Sequence, residues 1–354
     1  MRQRIGIMTL HRAQNYGAVW QCWALKRMCE KLGHTVETID FNPFGHYTYS
    51  GLLRHRPDKA LSYMLNFRNF NCFVDKKLNP TTHTEEHEWI EQNPPHDDIY
   101  IVGSDTVWCE NVVGEFLNSY MLDFAPSSVK RISYAASMGG IFPQSPVFGQ
   151  EIRKFASVSL REPQFVNETA KIYGNQVSDV CDPTLLITAD EYVKEEKRKR
   201  DLPCKYIALF DLAGDPMVIE TAKQIKKRLK LPIVNLTGKW LREADRNYLS
   251  ITPEQWLYMM RNANYVCTNS FHGTAFSIIF RRPFATVIVT KGGRAKTNGR
   301  VENLLQQCGL TDRLVTNLQQ METMSDIDYE AVNTQIETHY RTRSITWLKQ
   351  AIEE

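Results

Sequence analysis

The stretch Tyr265-Val-Cys-Thr-Asn-Ser-Phe-His-Gly-Thr-Ala-Phe-Ser-Ile-Ile-Phe280 concentrates side chains that could do chemistry. A strand-type apolar run feeds the polar residues Thr268, Asn269 and Ser270, then Phe271 and His272, and an apolar helix starts near Gly273. At such a junction the first backbone N–H groups and the helix dipole favour an anion, and Gly273 would let one approach closely. The hydroxyls of Ser270 and Thr274 would add donors. A histidine beside a bound anion is favoured as imidazolium and can donate a proton. The plain alternative is a capping junction with a structural histidine.

A second cluster follows the next apolar run. Lys291-Gly-Gly-Arg294-Ala-Lys296-Thr-Asn-Gly-Arg300 holds four cations and three glycines, a composition suited to clamping an anion or to a solvated loop. Arg300 falls at a helix start, where the dipole disfavours a cation, so it is the member least easily explained as structural.

These segments sit in a regular alternation of strands and helices. Residues 4–9 form an apolar strand run, Val19, Cys22, Leu25, Cys29 and Leu32 recur at helical spacing, and 35–40 reads as a second strand. Further strands are expected at 99–102, 131–136, 157–160 and 177–181, each ending in small or polar residues such as Gly103-Ser-Asp105, Arg161 and Asp182. Ligands gather at those ends in open α/β sheets. After a charged connector at 195–204, strands at 206–212, 232–236, 265–268 and 284–289 alternate with helices at 216–229, 252–263, 272–281 and 299–307. The pattern predicts an N-terminal Rossmann-like domain over 1–194, a second over 203–327, and a tail helix in 328–354 packing back on the first. The glycine fingerprint of dinucleotide binding is absent from the first turn, His11 to Gly17, which argues against a nicotinamide or flavin.

Length and composition agree. A chain of 354 residues suits two domains, and 42% hydrophobic with 23% charged residues is ordinary for a globular protein. A net charge of +3 implies no nucleic-acid partner. The eight cysteines are scattered without a metal-type spacing, pointing to a reducing compartment and no metal site. No run approaches the roughly 18 apolar residues of a spanning helix, and the N-terminus lacks the apolar core of a signal peptide. A cytoplasmic protein is expected, peripheral at most to the inner membrane face. One region breaks the pattern. Residues 44–80 mix aromatics with bases, and Arg54, Arg56, Lys59, Arg68, Lys76 and Lys77 face only Asp58 and Asp75 between 54 and 77. An ordinary solvated helical insertion or a membrane-touching lip would both fit.

Four segments in order resemble the polysaccharide pyruvyl transferase family. They are Asn15-Tyr-Gly-Ala18 with Gln21, Gly103-Ser-Asp-Thr-Val-Trp108, Ser159-Leu-Arg-Glu162 with Asp182-Pro-Thr184, and Asn269 to Ser277 with Arg282-Pro-Phe284. The resemblance implies a GT-B-like α/β fold: two facing Rossmann-like domains with parallel sheets and a cleft between them. It also implies transfer of the pyruvyl group of phosphoenolpyruvate, as co-substrate with no further cofactor, onto a sugar of a polysaccharide or lipid-linked glycan as a cyclic ketal. In that scheme His272 matches the general acid and Arg161 an arginine that binds phosphoenolpyruvate. Some members carry Arg where this chain has Ser270, so Lys291, Arg294 and Arg300 are the expected source of the missing charge. Asn15, Tyr16 and Gln21 would offer hydrogen bonds and a stacking surface to the sugar. Asp105 would orient or deprotonate an acceptor hydroxyl, or simply cap the next helix. Two rival readings on the same architecture are a nucleotide-sugar glycosyltransferase and a non-catalytic carbohydrate-binding protein.

Overall fold

In the computed structural model, which describes residues 2–44, 57–289 and 298–354, short apolar strands assemble into two parallel sheets. The first holds β1 (Arg4–Met8), β2 (Thr35–Thr38), β3 (Ile99–Val102), β4 (Lys130–Ala136), β5 (Ser157–Leu160) and β6 (Val177–Asp179) in the order β2-β1-β3-β4-β5-β6. Ile5 pairs with Val36 on one side and Ile99 on the other. All four residues of β3, Ile-Tyr-Ile-Val, are buried, as a central parallel strand covered on both faces requires. The second sheet holds β7 (Ile207–Phe210), β8 (Ile233–Asn235), β9 (Arg246–Asn247), β10 (Tyr265–Thr268), β11 (Phe284–Val287) and β12 (Leu314–Val315) in the order β12-β11-β10-β7-β8-β9. Strand order reverses at β1/β3 and at β7/β10, and a parallel sheet of this kind opens a crevice at the C-terminal edge of such a switch point.

The helices are set by their caps. Asn15 starts helix Tyr16–Lys31 by accepting from the Gly17 N–H. That helix is buried continuously from Tyr16 to Leu25, with Trp20 edge-on to Trp23 and Phe73. Burial pushes the thiols of Cys22 and Cys29 up to about 12, so both act as small apolar groups. Thr252 and Gln255 form a reciprocal capping box at helix Pro253–Arg261, with Pro253 in the first turn.

Contacts divide the described residues into two units. The first comprises the chain up to Phe44, Phe70–Ile187 and His339–Glu354; the second comprises helix Pro57–Phe73 up to Asn69, and Thr188–Thr338. The division departs from the sequence expectation, which kept 44–80 wholly in the N-terminal domain. The reason is a stripe of polar side chains one turn apart. Ser62 and Asn66 both donate to the Leu249 carbonyl, at 2.7 and 3.0 Å, and Asn69 donates to Ser250 Oγ at 3.0 Å. In the first unit, helix Thr342–Glu353 is held where Ser344 Oγ accepts from the Cys181 N–H at 2.9 Å and Leu348 and Ile352 are buried. No described helix is long and apolar enough to cross a membrane. Arg54 and Arg56 lie outside the described residues.

Candidate functional site

In the second unit, helix Phe271–Ile279 rises from the C-terminal end of β10. Ser270 is its N-cap, accepting from the Gly273 N–H at 3.3 Å, while the Ser270 N–H donates to Thr268 Oγ1 at 3.0 Å. A Cβ at Gly273 would meet Thr268 Oγ1 at 2.4 Å and Phe210 Cδ1 at 3.1 Å. The glycine is therefore required by packing against the strand ends, a different reason from the anion approach expected of it. Thr274 likewise turns inward. Its hydroxyl donates to the Ser270 carbonyl at 3.0 Å, lies 2.8 Å from Thr286 Oγ1, and is fully buried.

Asn269 joins two loops. Its Oδ1 accepts from the Leu212 N–H at 2.9 Å and its Nδ2 donates to Asp211 Oδ1 at 2.6 Å. Asp211 Oδ1 also accepts from the N–H groups of Ala213 and Gly214, a knot of contacts the sequence did not announce. His272 is the second residue of the helix, 5% exposed, with its ring edge-on to Phe271 at 5.2 Å. The junction thus sets a histidine in the first turn of a buried helix, at the sheet edge where strand order reverses. Arg300 is half-buried in the first turn of helix Asn298–Gln307. Asn298 clamps that helix to Val289, accepting from its N–H at 3.1 Å and donating to its carbonyl at 2.9 Å. Lys291 and Arg294 lie outside the described residues.

In the first unit, Arg161 follows β5 and is 5% exposed. Its Nη1 donates to Asp182 Oδ2 at 2.7 Å and its Nη2 lies 3.9 Å from Asp105 Oδ1. Burial opposes the charge, but Asp182, Glu162 and Asp105 together keep the guanidinium pKa above its ordinary value. One cation facing two adjacent carboxylates is poorly arranged to be the main charge partner of an anion; it is well arranged to hold Asp105 in place. Asp105 is not a helix cap, since helix Glu110–Val113 is capped at Cys109.

The three residues expected to meet a sugar are used inside the unit. Asn15 caps its helix, and Tyr16 is buried against Phe70 with ring centroids 5.0 Å apart. Gln21 is fully buried, donating to Thr9 Oγ1 at 2.8 Å and accepting from the Ser104 N–H at 3.0 Å.

Sequence reasoning missed a different constellation beyond the ends of β1 and β2. Asp40, 1% exposed, accepts from Arg12 Nε at 2.9 Å, with His11 Nε2 at 3.0 Å and His83 Nδ1 at 3.1 Å from the same Oδ1. Burial alone would raise the Asp40 pKa, yet the hydrogen bonds from His11, His83 and Arg12 hold it far below the usual carboxylate range. Beside this cluster opens a cavity of about 250 Å³ whose lining includes His11, Arg12, Phe41, Asn42, Phe44 and Tyr120. His11, Arg12 and Asp40 each stand just past a strand end, the signal that could have found them. Among the described residues no group of three His, Cys, Asp or Glu side chains is placed to hold a metal.

A family model for polysaccharide pyruvyl transferase matches residues 15–290. No curated protein matches the chain. Among solved structures, the UDP-GlcNAc 2-epimerase of Methanocaldococcus jannaschii is similar at a TM-score of 0.53 and 11% identity, with both chains covered 100%. An α-glucosyltransferase in complex with UDP and a DNA 13-mer is similar at a TM-score of 0.52 and 9% identity, again with both chains covered 100%. At such identities these neighbours bear on the fold alone, and they are of the GT-B kind.

Proposed function

The chain belongs to the polysaccharide pyruvyl transferase family, and from that premise we propose that it moves the pyruvyl group of phosphoenolpyruvate onto a saccharide as a cyclic ketal. The observation that carries this reading is His272 in the first turn of helix Phe271–Ile279, within the matched residues. As imidazolium, His272 gives its proton to the methylene carbon of phosphoenolpyruvate and leaves C2 electrophilic. A sugar hydroxyl adds to C2 and loses its proton to solvent. The C2–O bond to phosphate then breaks, phosphate leaves, and a second hydroxyl closes the ketal and returns a proton to His272.

The phosphate and carboxylate of the donor call for cations and amide dipoles. Lys291, Arg294 and Arg300 are proposed for that role along with the helix terminus capped by Ser270. Arg161 is better suited to positioning Asp105 than to meeting phosphate. For the acceptor, a polysaccharide unit or a lipid-linked glycan, the cavity beside His11 and Arg12 is the better candidate than Asn15, Tyr16 or Gln21. Phe41, Phe44 and Tyr120 give it apolar walls, and Asn42 and Arg12 give it donors.

The test is incubation of the protein with phosphoenolpyruvate and a panel of p-nitrophenyl glycosides. The reading predicts phosphate release with a product heavier by one pyruvylidene group. Release of UDP from a nucleotide sugar, with none of phosphate from phosphoenolpyruvate, would instead make it a glycosyltransferase.

A further inference from the structure

Trp240 is 68% exposed, more than any other large hydrophobic side chain among the described residues. It stands in the loop between β8 and β9, with the exposed bases Lys239 and Arg242 on either side. Helix Pro57–Phe73 passes alongside. Its Ser62 and Asn66 donate to the Leu249 carbonyl, and a Cβ at Gly238 would lie 3.5 Å from Asn66 Nδ2 and 3.6 Å from that same carbonyl oxygen. Loop, helix and Leu249 therefore form one continuous surface of the second unit. Leu249, at 38% exposure, adds aliphatic area to it, whereas Met64 stands on the opposite face of the helix from Ser62 and Asn66. Among the described residues Lys239 and Arg242 enter no ion pair, and the exposed acids of the same loop are Glu243 and Asp245, the latter paired with Lys226 at 2.6 Å.

We infer that this face docks the second unit on an anionic bilayer. An indole with a neighbouring aliphatic side chain and a fringe of Lys and Arg is the composition of an interfacial anchor. The ring lies at headgroup depth, the alkyl group reaches the acyl boundary, and the cations meet anionic lipid. A protein partner would call for an apolar centre depleted of charge, and here bases flank the tryptophan directly. A saccharide stacking on Trp240 would leave Leu249 in water.

The position adds a functional reason. The loop leaves the C-terminal end of β8, and β8 is separated from β10 by β7 alone. The face accordingly emerges on the same edge of the sheet as His272, so a membrane-anchored glycan would be offered on the side where the helix terminus lies. The docking itself does not depend on the transfer chemistry, and its failure would leave the phosphate-release test untouched.

The experiment is sedimentation of the full chain with phosphatidylcholine vesicles, with and without phosphatidylglycerol, at low and high salt. The wild type is expected to pellet with the anionic vesicles at low salt and to be released by high salt. Trp240→Ser and the double substitution Lys239→Gln/Arg242→Gln should each reduce the bound fraction about fivefold or more, with unchanged melting temperature. Wild type that stays in the supernatant, or a Trp240→Ser variant that pellets equally, overturns the inference. So does a concentration-dependent dimer, or glycoside binding, that Trp240→Ser abolishes in the absence of vesicle binding.

Discussion

The guanidinium of Arg161 lies 3.9 Å from the carboxylate of Asp105 while the same group bonds Asp182 at 2.7 Å. A residue that the family resemblance casts as an anion contact is thus a buried tie between the ends of three strands, β3, β5 and β6. Its first consequence is for stability. Removing one partner of a buried pair strands the other charge, which typically costs about 3–5 kcal/mol. Arg161→Met is therefore expected to lower unfolding free energy by roughly that amount, and Arg161→Lys, which keeps the charge but loses the fork, by less. Urea unfolding of the three proteins measures it. Equal midpoints would show that the tie carries no stability.

Gly273 separates packing from ligand approach. A methyl group placed 2.4 Å from Thr268 Oγ1 must displace the helix or the strand end. Gly273→Ala should destabilise the fold by about 1–3 kcal/mol, as overpacking does. An unchanged melting temperature combined with weakened phosphoenolpyruvate binding would return the glycine to the role first expected of it.

Much of the architecture was legible in the chain because each buried strand is a short apolar run closed by small or polar residues. The junction from Thr268 to Thr274 could be placed at a strand-to-helix turn for the same reason. What could not be read was the direction of the side chains within it. Asn269 turns to Asp211 and Thr274 to Thr286, partners supplied by neighbouring strands 58 and 12 residues away. The cluster on Asp40 was hidden for a related reason. His83 comes near because Thr38 and Phe41 form isolated parallel bridges with Pro80 and Thr84, pairings with no local signature.

That cluster has a pH signature. The hydrogen bond that His83 donates to Asp40, supported by the carboxylate's charge, raises the pKa of His83 above the ordinary value of about 6.5. A raised folded-state value means the pair's stabilisation is present in full below about pH 6.5 and is lost as pH rises through the raised value. The melting temperatures of wild type and His83→Gln should therefore differ most at mildly acid pH and converge as the solution becomes alkaline. A gap that widens with pH would contradict the assignment.

Protonation of carbon by His272 is the central claim, and transfer run in deuterium oxide tests it most directly. The account predicts a ketal methyl group carrying one solvent deuterium. It also predicts that His272→Ala loses about 10²–10⁴ in turnover while phosphoenolpyruvate still raises its melting temperature. Near wild-type turnover by His272→Ala, or a product methyl free of deuterium, would contradict it.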